Sequence, residues 1–274
     1  QEIRDFTIAN KKVMENQLKK LGASSDWSRE KFTLDEDIKK IVYETFEKLH
    51  KDGLAYRALR IINFCVKHQT SLSDIETKHE EKEDFLYYIK YGELEVATTR
   101  PETIFGDIAV AVNPKDKRYK KYIGKTVPHP YDGRQLPVIG DNLVDPKFGT
   151  GVVKITPAHD SADFEMWKNY RGDDNKQFIS DVLNYQIINE RGRLRFVMND
   201  LIPKEYQNIK VSEARERIIN DLELKKVLIR TEPYVHQVVV CYKCANILES
   251  LPERQWFIRV ESLRDGAVKA VKSG

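Results

Sequence analysis

The sequence predicts an α+β protein: a β-barrel-like body with peripheral helices, on a stem that includes a split zinc-ribbon-like element. Three observations carry this. Short apolar runs punctuated by Pro and Gly recur between about residues 84 and 155, with few helices among them. Amphipathic helical patterns lie near the two ends and at Val211 to Val227. Two knuckles, Cys65-Val66-Lys67-His68 and Cys241-Tyr242-Lys243-Cys244, bracket everything between them.

Residues up to about Gly22 predict a charged helix, with Ile8, Val13, Met14, Leu18 and Leu21 near helical spacing. Thr33-Leu34-Asp35-Glu36 reads as a capping box. Ile38, Ile41, Val42, Phe46 and Leu49 then form one apolar stripe up to Gly53, a core-packing signal. Tyr56 to Cys65 follows as a strand. Strands FLYYIKYG and ELEVATT turn at Gly92, and Tyr87, Tyr88 and Tyr91 read as ordinary strand residues rather than base-stacking platforms. Ile108 to Val112 is a strand stopped by Asn113-Pro114. The basic run KDKRYKKY (115–122) reads as a solvated helix or a phosphate contact, with the solvated reading favoured. TVPHP, RQLPVIG and NLVD are further short strands, and His129, between prolines, reads as structural or exposed. Residues 171–184 look like a polar excursion, and QIINERGRLRF like two strands turning at Gly192. An amphipathic helix from Val211 to Val227, strands from Tyr234 to Val240 and Gln255 to Val260, and a helix from Leu263 to Val271 complete the chain.

The stretch Gly149 to Glu165, GTGVVKITPAHDSADFE, concentrates the polar chemistry. Gly149-Thr150-Gly151 makes a tight turn, Val152 to Ile155 a strand, and Pro157 stops it. Asp160 is placed as a helix N-cap with Asp163 one turn in, where the helix dipole favours carboxylates. The strand thus delivers Lys154 and Thr156 to a point where His159, Asp160 and Asp163 gather. Capping alone would also account for both acids.

Composition narrows the class. The chain has 274 residues, 41% hydrophobic and 32% charged, with a formal net charge of +3. That balance excludes a strong whole-molecule field for nucleic acid, so RNA contact must come from a local patch. There is no signal-peptide pattern and no apolar run of membrane-spanning length. Three cysteines do not make a secreted disulfide framework, which points to a reducing compartment, the cytoplasm. The abrupt start and end suggest a piece of something longer. The knuckles supply four ligands of the kind that hold tetrahedral structural zinc, and 172 residues separate them. Four protein ligands leave no open position for catalysis. The alternative is three ordinary thiols and a surface histidine.

ATTRPETIFGDIAVAVNP (97–114), taken with GTGVVKITPAHDSADFE, closely resembles the editing domain inserted in class I valyl-tRNA synthetases. LGASSDWSREKFTLDE (21–36), LSDIE (72–76) and QWF (255–257) resemble the flanks of that insertion, so nearly the whole chain is covered in the right order. The resemblance implies core-flanking helices and the first knuckle over 1–79, the editing domain over 80–235, and the second knuckle with the return to the core over 236–274. It implies hydrolysis of the ester of threonyl-tRNA(Val), an editing activity within an aminoacyl-tRNA ligase of protein biosynthesis. Asp163 anchors the α-ammonium, Asp160 binds substrate or orients water, and Lys154 and Thr156 line the pocket near the ester. Arg100 and Thr103 close the opposite wall, with Thr98, Thr99 and His159 as secondary substrate-binding candidates.

Which of Asp160, Asp163 and Thr103 reads the threonine hydroxyl stays open. The family often has a cysteine pair at the first knuckle, so His68 is a departure among the ligands Cys65, His68, Cys241 and Cys244. An HxGH signature and a KMSKS-like loop are missing, so ATP and Mg2+ would serve only the full-length enzyme. The implied partners are the 3′ end of tRNA(Val) and the remaining synthetase core, with no membrane and a monomeric state. Arg100-Pro101-Glu102 argues against the isoleucyl type, and the leucyl type is the nearest rival. A zinc-ribbon tRNA-binding module without chemistry is the alternative of another class.

Overall fold

The computed structural model describes residues 1–172, 176–196 and 201–274, which divide into two units, Gln1–Tyr56 with Phe257–Gly274, and Arg57–Trp256. The first holds helices α1 (Glu2–Lys20), α2 (Glu36–Lys51) and α6 (Glu261–Ser273). None of the three contains a buried residue. The α2 stripe expected to pack into a core is therefore open, with Ile41 57% and Phe46 41% exposed. The expected capping box at Thr33–Glu36 is also absent, because Asp35 is the N-cap of α2 and its carboxylate instead accepts from the Phe32 N–H. A reciprocal box forms at Ser73 and Glu76.

The second unit is built on strands β1 (Ala55–Cys65), β2 (Thr70–Leu72), β3 (Thr77–Tyr91), β4 (Leu94–Thr98), β5 (Ala109–Val112), β6 (Thr126–Pro128), β7 (Gln135–Gly140), β8 (Val152–Ile155), β9 (Leu228–Cys241) and β10 (Glu249–Ile258), the first two residues of β1 and the last two of β10 belonging to the first unit. Helices α3 (Ser161–Arg171), α4 (Lys176–Asn184) and α5 (Val211–Leu224) complete it. The class is α+β, as expected. The strands form three sheets, β10-β1-β2, β4-β3-β9 and β6-β7-β5-β8. None of these sheets closes on itself, so the barrel-like body is an assembly of open sheets around shared cores.

The sheet of β5 and β8 explains why the AVAV run is apolar on both faces. Val110, Val112 and Val152 join a core with Ile89, Leu94, Phe105, Ile218 and Leu222. Ala109, Ala111 and Ile155 face the opposite way, against Phe164, Trp167, Phe178 and Val182 of α3 and α4. The small alanines let the two helices approach the sheet closely. At roughly 25 cal/mol per Å2 of apolar area, each fully buried Val or Phe stabilises the fold by about 1.5–3 kcal/mol.

Several expectations about elements need correction. NLVD (142–145) is turn and loop rather than strand, with the Val144 carbonyl accepting from Asn113 Nδ2. The supposed polar excursion contains α4, which buries Phe178 and Val182; residues 173–175 of that stretch lie outside the described residues. The segment around Gly192 forms isolated bridges, Ile188 to Leu194 and Arg193 to Lys210, in place of two strands. Helix α5 ends at Leu224, and Lys226 takes a φ of 56°. β3 and β9 are far longer than their apolar parts suggested, pairing antiparallel from Thr77 opposite Cys241 to Ile89 opposite Leu228. Their outer half, KHEEKED, is a charged ribbon whose order comes from strand pairing rather than burial.

Tyr87, Tyr88 and Tyr91 are all buried strand residues. His129 is buried and structural, with Nδ1 2.7 Å from Asp132 Oδ1 and Nε2 3.0 Å from the Ile104 carbonyl. No helix among the described residues is long and apolar enough to cross a membrane.

Candidate active site and metal centre

β8 ends at Ile155, and the chain passes through Thr156 to Asp160 before α3 begins. Asp160 caps α3, its Oδ1 accepting from the N–H groups of Ala162 at 2.8 Å and Asp163 at 3.0 Å. Opposite, β4 ends at Thr98 and a 3-10 turn over Pro101–Gly106 buries Glu102 and Thr103. Between these two strand ends lies a cavity of about 160 Å3, lined by Ala97, Thr98, Thr99, Arg100, Thr103, Phe148, Lys154, Thr156, His159, Asp160 and Asp163. Every non-metal residue singled out from the sequence lines it.

Their roles within the fold differ sharply. Lys154 is buried, and its ammonium donates to Thr103 Oγ1 at 2.7 Å, Asp107 Oδ1 at 2.8 Å and Thr156 Oγ1 at 2.5 Å. Three donors meet three acceptors, leaving no hydrogen for a bound ligand. Thr156 in turn donates to Asp107 at 2.7 Å, and Thr103 to the Arg100 carbonyl at 2.9 Å. Both hydroxyls therefore present only lone pairs to the cavity.

His159 is committed twice over. Its Nε2 accepts from the N–H groups of Ile187 at 2.9 Å and Ile188 at 3.2 Å, and Nδ1 donates to the Ser250 carbonyl at 3.1 Å. Burial first, and then the Arg100 charge, pull its pKa down to about 3. It is a neutral structural imidazole, with neither nitrogen left for a substrate.

Arg100 donates to Glu102 at 3.0 Å and Glu249 at 2.8 Å. Burial works against its charge, but these two carboxylates outweigh that and raise its pKa further. Glu102 is shared with Arg215, whose Nε lies 3.0 Å from Glu102 Oε2. Arg215 also binds Asp84 and the Thr99 carbonyl, tying α5 to the end of β4.

Asp163 is the outlier. It is partly open to the cavity but densely walled, and its Oδ2 accepts from the Thr156 N–H at 2.8 Å. Burial, and then the neighbouring Asp160 charge, push its carboxyl well above the ordinary aspartate range. Among the described residues neither Asp160 nor Asp163 forms a salt bridge with a cationic side chain. The cavity thus presents two carboxyl groups, each with an oxygen not engaged by a backbone N–H, to whatever enters.

Sequence reasoning missed Asp107, Glu102, Arg215 and Glu249. Asp107 had a usable signal: it is the one acid at the head of the apolar run IAVAV, a position that forces a buried carboxylate to find a partner. Tyr91, which donates to Asp107 at 2.6 Å, and Arg215 had none, since their partners are distant in sequence.

The two knuckles meet. The Sγ atoms of Cys65, Cys241 and Cys244 and a ring nitrogen of His68 all lie within 4.8 Å of one another. Cys65 Sγ is 3.7 Å from Cys244 Sγ, and His68 Nδ1 is 3.5 Å from both Cys65 and Cys241. Zn–S bonds near 2.3 Å at tetrahedral angles place sulfurs about 3.8 Å apart, so the donor set fits a four-coordinate metal ion. Burial opposes ionisation of Cys241, but backbone N–H groups of Lys243 and Cys244 overcome it and bring the thiol down to about 6.

The sequence matches the profile of the tRNA synthetases class I (I, L, M and V) over residues 1–274. The chain belongs to that family. It is 42% identical over 280 residues to the valine–tRNA ligase of Clostridium acetobutylicum, covering 100% of the chain and 30% of that protein. It is 42% identical over 274 residues to the valine–tRNA ligase of Thermotoga maritima, covering 97% of the chain and 30% of the relative. With the valine–tRNA ligase of Pseudothermotoga lettingae the identity is 43% over 269 residues, 96% of the chain and 30% of the relative. The chain thus spans about 30% of the length of these relatives. The relatives it resembles along nearly its whole length are valine–tRNA ligases.

Proposed function

We propose that the cavity is a post-transfer editing site that hydrolyses the ester of threonyl-tRNA(Val) within a valyl-tRNA synthetase. The observation that carries this reading is a pair of carboxyl groups, Asp160 and Asp163, open to a cavity whose single lysine is already saturated. An aminoacyl ester brings the missing cation. Its α-ammonium at Asp163 returns that carboxyl to the charged form and relieves its repulsion with Asp160.

Valine and threonine are nearly isosteric, and a pocket fitted to valine is known to reject threonine poorly in this enzyme class. A polar second site works in reverse. It offers the threonine hydroxyl a partner, and leaves its own polar groups unpaired when valine enters. Asp160 and Asp163 can accept a hydrogen bond from that hydroxyl; Thr103 and Thr156 can accept through their free lone pairs. Asp160 also serves to orient the attacking water.

The reaction itself is a simple substitution. The water oxygen bonds to the ester carbonyl carbon, the bond from that carbon to the ribose oxygen breaks, and a proton passes to the ribose oxygen. Threonine and a tRNA with a free terminal hydroxyl leave. Lys154 acts as a positioning residue, fixing Thr103 and Thr156 and lending its field to the developing oxyanion, rather than by direct contact. Positioning alone supplies much of the rate for an already activated ester.

Structural zinc at Cys65, His68, Cys241 and Cys244 completes the proposal. It would pin β1 to β9 across the sequence between the knuckles, and it takes no part in the chemistry. The 3′ end of tRNA(Val) and the rest of the synthetase are the proposed partners, and the cytoplasm the proposed compartment. The chain is expected to cleave threonyl-tRNA(Val) and to spare valyl-tRNA(Val). Equal cleavage of both would overturn the specificity, and cleavage of neither by the chain or the whole enzyme would overturn the chemistry.

A further inference from the structure

The segment from Lys115 to Lys125 carries six basic side chains and one carboxylate. The carboxylate, Asp116, is buried and taken up by Arg118, which donates to Asp116 Oδ2 at 2.6 Å through Nη2 and to Oδ1 at 3.0 Å through Nε. Lys115, Lys117, Lys120, Lys121 and Lys125 are exposed, and none of them forms a salt bridge among the described residues.

These lysines stand on an ordered base. Tyr119 and Tyr122 pack on the main core, the Lys115 N–H donates to Asn113 Oδ1 at 2.9 Å, and Asn113 Nδ2 reaches the Val144 carbonyl at 2.8 Å. A merely solvated run needs no such anchoring.

Its place beside the cavity is fixed by two glycines. Arg118 Nη2 donates to the Pro146 carbonyl at 2.8 Å, two residues before Phe148 of the cavity wall. A Cβ on Gly151, at a φ of 81°, would come within 2.7 Å of Arg118 Nη2. One on Gly149 would come within 2.5 Å of the Ala97 Cβ, itself in the cavity wall. The Gly149–Gly151 turn thus touches Arg118 of the basic segment at one end and Ala97 of the cavity wall at the other.

We infer that the Lys115–Lys125 segment is a docking surface for the phosphodiester backbone of the RNA strand whose 3′ end enters the cavity. The inference rests on the proposed function. The cavity's own cations, Lys154 and Arg100, are taken up by Asp107, Glu102 and Glu249, so the charge that draws in the strand must lie outside the mouth. Lysine arrays of this kind neutralise phosphates and release counterions without reading sequence.

The test measures binding of deacylated tRNA to the chain by fluorescence anisotropy across salt concentrations, for wild type and the Lys117→Gln, Lys120→Gln, Lys121→Gln triple variant. The inference expects roughly tenfold weaker binding near physiological salt. The slope of log affinity against log salt should be shallower by about 2, since each lost phosphate contact removes about 0.7–0.9. Hydrolysis of 3′-O-threonyl-adenosine, too small to reach the lysines, should be unchanged. An unchanged slope, no tRNA binding by wild type, or equal competition by polyglutamate would overturn the surface. So would parallel loss of threonyl-adenosine hydrolysis, because the substitutions would then act through the pocket. If wild type cleaves neither ester but the slope changes as expected, the editing reading fails and the RNA surface stands.

Discussion

Lys154 Nζ lies 2.8 Å from Asp107 Oδ1, with both side chains almost wholly removed from solvent. The pair holds the two strand ends in register, because Lys154 also binds Thr103 and Thr156. Removing one partner of such a pair leaves an uncompensated buried charge. Lys154→Met is expected to cost about 3–5 kcal/mol of stability, read from urea denaturation. Adding Asp107→Asn to Lys154→Met should recover part of that loss, by removing the orphaned charge. A double variant less stable than Lys154→Met would contradict the pairing.

Asp163 makes the opposite kind of contribution. Its carboxyl is raised by burial and by Asp160, so the folded chain holds its proton more tightly than the unfolded chain does. The associated stability is fully present below the unfolded value of about 4, and is lost as pH rises through the raised folded value. Asp163→Asn, which cannot ionise, should therefore melt higher than wild type at pH 7, by roughly 2–4 °C, with the gain vanishing near pH 4. Calorimetry at both pH values decides it. A lower melting temperature at pH 7 would show that the carboxylate stabilises the empty fold.

His159 offers a check by NMR. With its pKa near 3, the ring should show no titration between pH 5 and 8, and it should be neutral with the proton on Nδ1. For a histidine lowered in this way, stability is lost as pH falls from its unfolded value of about 6.5 toward the folded value. His159→Phe strands the Ile187 and Ile188 N–H groups and should cost roughly 2–4 kcal/mol. A ring that titrates near neutrality would restore it as a candidate base.

The knuckles lead to a prediction about metal content. Purified chain should carry one zinc ion, and removing it with a chelator should lower the melting temperature. Cys244→Ser, in the turn that follows β9, should reduce the affinity for metal without touching a residue that lines the cavity. A chain that contains no metal and melts identically with and without zinc would leave the four residues as ordinary thiols and a surface histidine.

How much of this was legible in the sequence depended on whether the information was local. The strand-to-helix handover from Val152 to Asp163 was readable because turn, strand, proline stop and N-cap follow one another within the same segment. The meeting of Cys65 and His68 with Cys241 and Cys244 was readable because zinc knuckles keep a fixed spacing even when far apart. What could not be read was partnership. Nothing in the local pattern said that Lys154 would spend all three donors on Thr103, Asp107 and Thr156, or that His159 would cap the Ile187–Ile188 backbone. The β3 half rich in Lys and Glu was hidden for a related reason. Pairing with β9 orders it, and pairing leaves no hydrophobic period behind.

The central claim is that Asp163 receives the ammonium of a threonyl ester. The most direct measurement is single-turnover hydrolysis of threonyl-tRNA(Val) by wild type and by Asp163→Asn, side by side with their melting curves. The expected result is a loss of about 100-fold or more in rate, on the scale of one charge-assisted contact at about 1.4 kcal/mol per tenfold, in a variant at least as stable as wild type. Undiminished hydrolysis by the stable variant would contradict the claim and move the anchoring role away from the start of α3.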